Sequence, residues 1–148
     1  MFKIITDLSM VLRKEWSLDT TGNSVLLSGV TGSWVTLTAG PKAILTTGKT
    51  GLAWPIWNES YRDGTFAFTP DVNQTKTISV IVGKMFATTD QYTGNPSQGQ
   101  ALTTAAGGKL QAATLSGTVD PVVAYCVQAP YSYLWWGQTI NVIDIQTV

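Results

Sequence analysis

The sequence contains no histidine, a single cysteine and few charges. Without histidine it lacks the commonest general base and metal ligand. Serine or cysteine hydrolysis would then need a lysine or an N-terminal amine as base, and no such constellation can be picked out. One thiol forms no internal disulfide, and one cysteine without histidine holds no zinc. Cys126 lies in the apolar run VVAYCVQA, where an inert core thiol is the expected role. Charged residues make up 12% of the chain, against about 25% in an average globular protein. Nine basic and nine acidic residues give a net charge of zero, and no basic run exists. The footprint of a nucleic-acid binder is therefore missing, as is that of a polybasic membrane anchor. No apolar run reaches the roughly 18 residues of a membrane span. The start, MFKIITDLSMVLRKEW, lacks the uninterrupted apolar stretch and small-residue cleavage site of a signal peptide. Synthesis in a reducing cytoplasm is expected.

What the chain does contain is apolar and aromatic. Hydrophobic residues make up 44%, with six Trp, five Tyr and four Phe among 148 residues. Such a surface is expected to be covered by neighbouring subunits or a partner; a compact β protein with Thr and Ser outside is the alternative. The length fits one domain. Residues 1–32 read as an N-terminal arm and connection, and 33–148 as a mainly β domain, a β-barrel or β-sandwich. In residues 1–19, Asp7 is a candidate helix cap, and Leu8, Val11, Leu12 and Trp16 follow a helical spacing. A short helix and an extended arm both fit.

From Ser33 onward, short apolar runs recur between turn signals, the pattern of a sandwich or barrel. The clearest β signals run from Tyr61 to Tyr92. Phe66 and Phe68 alternate with Thr65, Ala67 and Thr69, and Ile78, Val80 and Val82 with Ser79, Ile81 and Gly83, which predicts two neighbouring strands joined through Pro70-Asp71 and Asn73. Pro55 within LAWPIWNES predicts a sheet edge or a bulge, since proline cannot donate to a ladder. Pro130 is expected to end the strand Val122 to Ala129. Gly137 is expected to turn the chain into a final strand, Thr139 to Ile145.

Motifs for chemistry are weak. Gly107-Gly108-Lys109 lacks the earlier glycine of a phosphate loop, and Leu110 stands where Ser or Thr is needed, so a hairpin turn is the better reading. Asp63 with Asp71 lacks the density of a calcium loop. Asp63, Asp90 and Asp120 each sit beside turn residues, where a carboxylate ordinarily bonds nearby backbone. No catalytic, metal or cofactor residues are assigned. The aromatic clusters are more informative. Trp54 and Trp57 flank Pro55-Ile56, and Tyr131, Tyr133, Trp135 and Trp136 crowd a second run. Core packing is expected for Trp34 and Trp54. The second run points to an interface, because alternate side chains of a strand face opposite ways and cannot all be inside. Trp54, Trp57, Tyr131, Tyr133, Trp135 and Trp136 are the candidate partner contacts.

The succession SWVTLTAG, LAWPIWNESYRDGTFAFTPDV, ISVIVGKMFATTDQY, GQALTTAAGGKL, DPVVAYCVQAP, INVIDI resembles the head decoration, or capsid cement, proteins of tailed bacteriophages. The likeness covers roughly residues 33 to 145 and rests on order and spacing, including Arg62 to Thr65, Thr89 to Tyr92, and the G-x-x-L, GGKL, PVVA series from Gly99. It implies a non-enzymatic virion protein on the capsid exterior. Such a protein bridges major capsid protein subunits and forms a homo-oligomer, a trimer first and a dimer second, without nucleic-acid or membrane partners. Residues 1–19 would be an arm that orders on the shell. A tail tube, adaptor or head-completion protein is the structural alternative. A carbohydrate-binding β-sandwich, with Trp54, Trp57, Trp135 and Trp136 stacking on sugar rings, is the alternative of another class.

Overall fold

A computed structural model describes residues 2–6, 12–17, 32–38, 40, 42–57, 77–135 and 137–148. The chain is mainly β, with antiparallel strands. Its strands are β1 (Phe2–Ile4), β2 (Leu12–Ser17), β3 (Trp34–Leu37), β4 (Ala43–Leu45), β5 (Trp54–Pro55), β6 (Thr77–Val82), β7 (Phe86–Thr89), β8 (Ala101–Ala105), β9 (Lys109–Ala112), β10 (Ala124–Trp135) and β11 (Gln138–Thr147). Six of them form one sheet in the order β1-β7-β11-β10-β8-β9; β4-β3-β5 form a second and β2-β6 a third. The large sheet has different strands at its two edges, so no closed barrel is seen among the described residues.

Two apolar clusters hold these sheets together. The main one packs one face of the large sheet, through Ala87, Leu102, Leu110, Cys126, Ile143 and Ile145, against Trp34, Ala53 and Ile81. The second gathers Val35, Ala43, Leu45, Ile56, Ile78 and Val80. β6 therefore serves both: Ile78 and Val80 point into one core and Ile81 into the other. A strand covered on both faces reads as a continuous apolar run, which explains why TISVIV is apolar beyond simple alternation.

The structure decides several elements that the sequence left open or gave differently. Of the helix and the extended arm that both fit residues 12–17, the extended form is found, paired with β6, Leu12 opposite Val82 and Trp16 opposite Ile78. β1 likewise pairs with β7. Period-3.6 spacing over so few residues is overridden by ladder bonds to a strong β strand. β6 has neighbours on both sides at Val80, namely Lys14 of β2 and Ile56. The expected partner strand with Phe66 and Phe68 lies outside the described residues, together with residues 58–76, Asp7, Leu8, Val11, 18–31 and Trp136. Pro130 does not end a strand. β10 runs through it to Trp135, with register shifts between Cys126 and Gln128 and between Gln128 and Tyr131. Bulges suspend the regular ladder there, so the missing N–H is tolerated. Pro55 sits in β5, at the edge of its sheet, and Ala106–Gly108 form the tight turn between β8 and β9.

Buried threonines anchor loops to strands. Thr104 Oγ1 donates to Gly48 O (2.7 Å) and accepts from Thr50 N (2.9 Å), and Thr147 Oγ1 donates to Gly83 O while accepting from Met85 N. Each hydroxyl satisfies loop backbone groups that burial would otherwise leave unpaired. Asp120 closes the loop before β10 in the same manner. Its Oδ2 accepts from Thr114 N and from Lys49 Nζ, both at 2.8 Å. The hydrogen bond from Lys49, then that from Thr114, holds its carboxyl below the usual carboxylate range. A depressed carboxyl pKa contributes stability that is present above the unfolded value, about 4, and is lost as pH falls through the lower folded value. Asp120→Asn is therefore expected to lower the unfolding midpoint at pH 7 and to lose most of that deficit in strong acid. Urea titrations of both proteins across that range check it; a deficit independent of pH would refute the clamp.

Candidate functional site

β10 and β11 outrun their neighbours. β8 pairs with β10 only at Ala124 and Tyr125, and β7 pairs with β11 only from Ile143 to Gln146. Beyond these, Tyr131 to Trp135 and Gln138 to Val142 pair with each other alone among the described strands. A two-stranded ribbon thus projects from the large sheet and turns beside Gly137, which has φ 79°. Such a φ suits glycine in a two-residue hairpin turn.

Alternation sorts the ribbon's side chains. Tyr131, Tyr133 and Trp135 share a face with their partners Val142, Ile140 and Gln138. On β11, Ile143 and Ile145 point into the main core, so Val142 and Ile140 face the other way. The aromatic ladder therefore lies on the outer face of the large sheet, opposite the core. Tyr131 and Tyr133 meet edge to face at 6.4 Å, and Tyr133 and Trp135 lie tilted at 6.1 Å, geometries that suit the ring quadrupoles. The other face carries Ser132, Leu134, Thr139 and Asn141, all exposed, with Leu134 at 71%.

Side chains distant in sequence fix the ladder. Asp144 Oδ1 accepts from Tyr131 Oη at 3.0 Å and from Thr88 Oγ1 at 2.7 Å. Partial burial, then the bond to Asp144, raises the Tyr131 hydroxyl above its ordinary pKa, so it stays protonated and donates. Lys3 of β1 donates to Tyr133 Oη at 3.2 Å and lies 5.7 Å from the ring centroid. Lys3, Thr88 and Asp144 come together because β1, β7 and β11 are adjacent, with Lys3 opposite Thr88 and Thr88 opposite Asp144. Nothing in their local sequence signals this role; only the strand order does.

The two tryptophans near Pro55, both partly buried, pack against the cores. Trp54 meets Trp16 edge to face at 4.7 Å and packs on the second cluster, which agrees with its expected core role. Trp57 packs on the main cluster beneath the Arg13 guanidinium, 5.7 Å from its ring centroid. They sit at the junction of β5 and β6 and belong to a different surface from the ribbon's Trp135, while Trp136 lies outside the described residues. Trp34 is buried in the core, as expected.

The ribbon offers edge-to-face and tilted aromatic rings, an exposed leucine and hydrogen-bonding side chains. Cys126 is buried, and burial, then the charge of Asp144, pushes its thiol up, which keeps it neutral and poorly nucleophilic. Among the described residues no group of three or more His, Cys, Asp or Glu could hold a metal ion, and no helix is long and apolar enough to cross a membrane. An open cleft of about 240 Å³ lies between Leu52 to Pro55 and the end of β11, with Trp34 and Ile81 in its lining. Comparison of the sequence with protein-family models and with curated proteins finds no match.

Proposed function

We propose that this chain is a structural virion protein that decorates and stabilises the exterior of a tailed-phage capsid, bridging neighbouring major capsid protein subunits as a homo-oligomer. The observation that carries this reading is the projecting ribbon. Leu134, 71% exposed on one face, and the aromatic ladder on the other are surfaces that adhesion to another protein would cover. The motif succession from residue 33 to 145 supports the same assignment. Repetition over a lattice suits such an element, since modest contacts gain strength through effective concentration.

The test is binding of the purified chain to expanded capsid shells, followed by electron microscopy of the particles. Density for the chain on the shell exterior is expected. Its placement in the tail, or a copy number fitting one ring, would move the assignment to an adaptor or head-completion protein. Leu134→Asp is expected to weaken shell binding by about 10-fold or more, because a desolvated apolar contact is replaced by a charge. The unfolding midpoint should barely move, since Leu134 is exposed. Unchanged shell affinity for this variant would remove the ribbon as the docking element.

A further inference from the structure

We infer that a second copy of this chain pairs along the outer edge of β11, residues 138–142, joining the two large sheets into one across a two-fold axis at Ile140. The parity of β11 places the free groups. Thr147 N donates to Met85 O on the β7 side, whereas Val148 N donates to Val123 O on the β10 side. Counting back by twos, Thr139 and Asn141 direct their backbone N–H and C=O towards the β7 side, away from β10. No described strand pairs there, because β7 stops at the Thr89–Ile143 pair.

The length of this free edge selects its occupant. It is bounded by β7 at Ile143 and by the hairpin turn at Gly137. An antiparallel copy centred on Ile140 sets Gln138 against the partner's Val142 and Thr139 against the partner's Asn141. The turn of each copy then abuts the end of β7 in the other. The notch and the segment that fills it are the same five residues, QTINV, the self-complementarity that an isologous contact requires. Charge selects the same occupant. A two-fold axis brings like residues together, so a charged edge would repel itself. From Pro121 to Ile143 there is no Asp, Glu, Lys or Arg. Exposed edges are commonly guarded by lysine, proline or a bulge. The β10 edge carries Pro130 and two register shifts, and the β11 edge carries none of these.

This inference takes from the proposed function only that copies associate, and it selects the dimer over the trimer. Its test uses the full chain alone in solution, by analytical ultracentrifugation over a concentration series. The wild type is expected to show a concentration-dependent dimer. Asn141→Pro deletes an N–H that serves only the edge, and so spares the β10–β11 ladder. With one bond lost per copy, it should raise the dimer Kd about 10-fold or more. A second variant keeps the test decisive if that proline disturbs folding. Ile140 turns its backbone groups inward, so across the axis it meets the partner's Ile140 as a non-hydrogen-bonded pair, with Cα atoms about 4.5 Å apart, within disulfide range. Ile140→Cys should oxidise to a covalent dimer at least about 10-fold faster than Leu134→Cys, through effective concentration. Equal rates, an unaltered dimer in Asn141→Pro, or a wild type that stays monomeric would each overturn the interface. A chain that dimerises this way yet ignores capsid shells would remove the capsid assignment and leave the β11 contact standing. A monomer that binds shells would do the reverse.

Discussion

Gly108→Ala should lower the free energy of unfolding by about 3 kcal/mol, combining left-handed backbone strain with overpacking, while Gly107→Ala next to it should cost about 1 kcal/mol. Both glycines have positive φ, 74° and 72°, so both substitutions strain the backbone. What separates them is space. A Cβ on Gly107 meets nothing within 4 Å, whereas one on Gly108 would stand 2.9 Å from Leu45 Cδ2, 3.0 Å from Ser33 Cβ and 3.0 Å from Trp34 N. The leucine methyl can move aside; the Trp34 backbone cannot do so without disturbing β3, which pairs with both β4 and β5. Gly108 is thus the point where the β8–β9 turn is pressed against the three-stranded sheet, a contact reinforced by Gly108 N donating to Thr46 O at 3.3 Å. Urea denaturation of the two variants side by side is the measurement, and equal midpoint shifts would show that the close approach is not tight.

Trp34→Ala is expected to be at least as damaging, about 3–5 kcal/mol by lost transfer energy and residual cavity. Trp34 is 1% exposed, and it joins β3 to the main cluster on the large sheet. Its Nε1 makes no hydrogen bond among the described residues, so its contribution there is packing. Trp34→Phe should accordingly retain most of the stability, because the ring that remains fills most of the site and no indole bond is forfeited. Equilibrium unfolding followed by circular dichroism reads both variants. A loss below about 1 kcal/mol for Trp34→Ala would mean that the site collapses freely and that the sheets do not depend on this contact.

How far these features could be read in advance depended on the range of the interaction. The Gly107-Gly108 turn was legible because positive φ is a local demand that glycine meets. Pro55 at a sheet edge was legible for the same kind of reason, the missing N–H. Pro130 looked identical and behaved differently, because bulges in β10 removed the ladder bond it could not make. Nothing near Pro130 announces a bulge. The spacing from Leu8 to Trp16 fitted a helix, but the described part, residues 12–17, is extended because β6 offers it a partner from the far side of the sequence. At the candidate surface the aromatics were visible as composition, and the alternation rule gave the conclusion that they could not all be inside. Lys3, Thr88 and Asp144, which hold Tyr131 and Tyr133 in place, were not visible at all.

The sequence by itself determined the β class, the tight turns and an aromatic, charge-free run from Pro121 to Ile143, since these follow from local sterics, side-chain period and composition. Only the tertiary structure decided which face that run presents and which edge it leaves open. Strand order is a long-range choice: β7 beside β11 and β10 beside β8 end at particular residues, and from those ends come the ribbon, its outward-facing ladder and the open edge at Thr139 to Asn141.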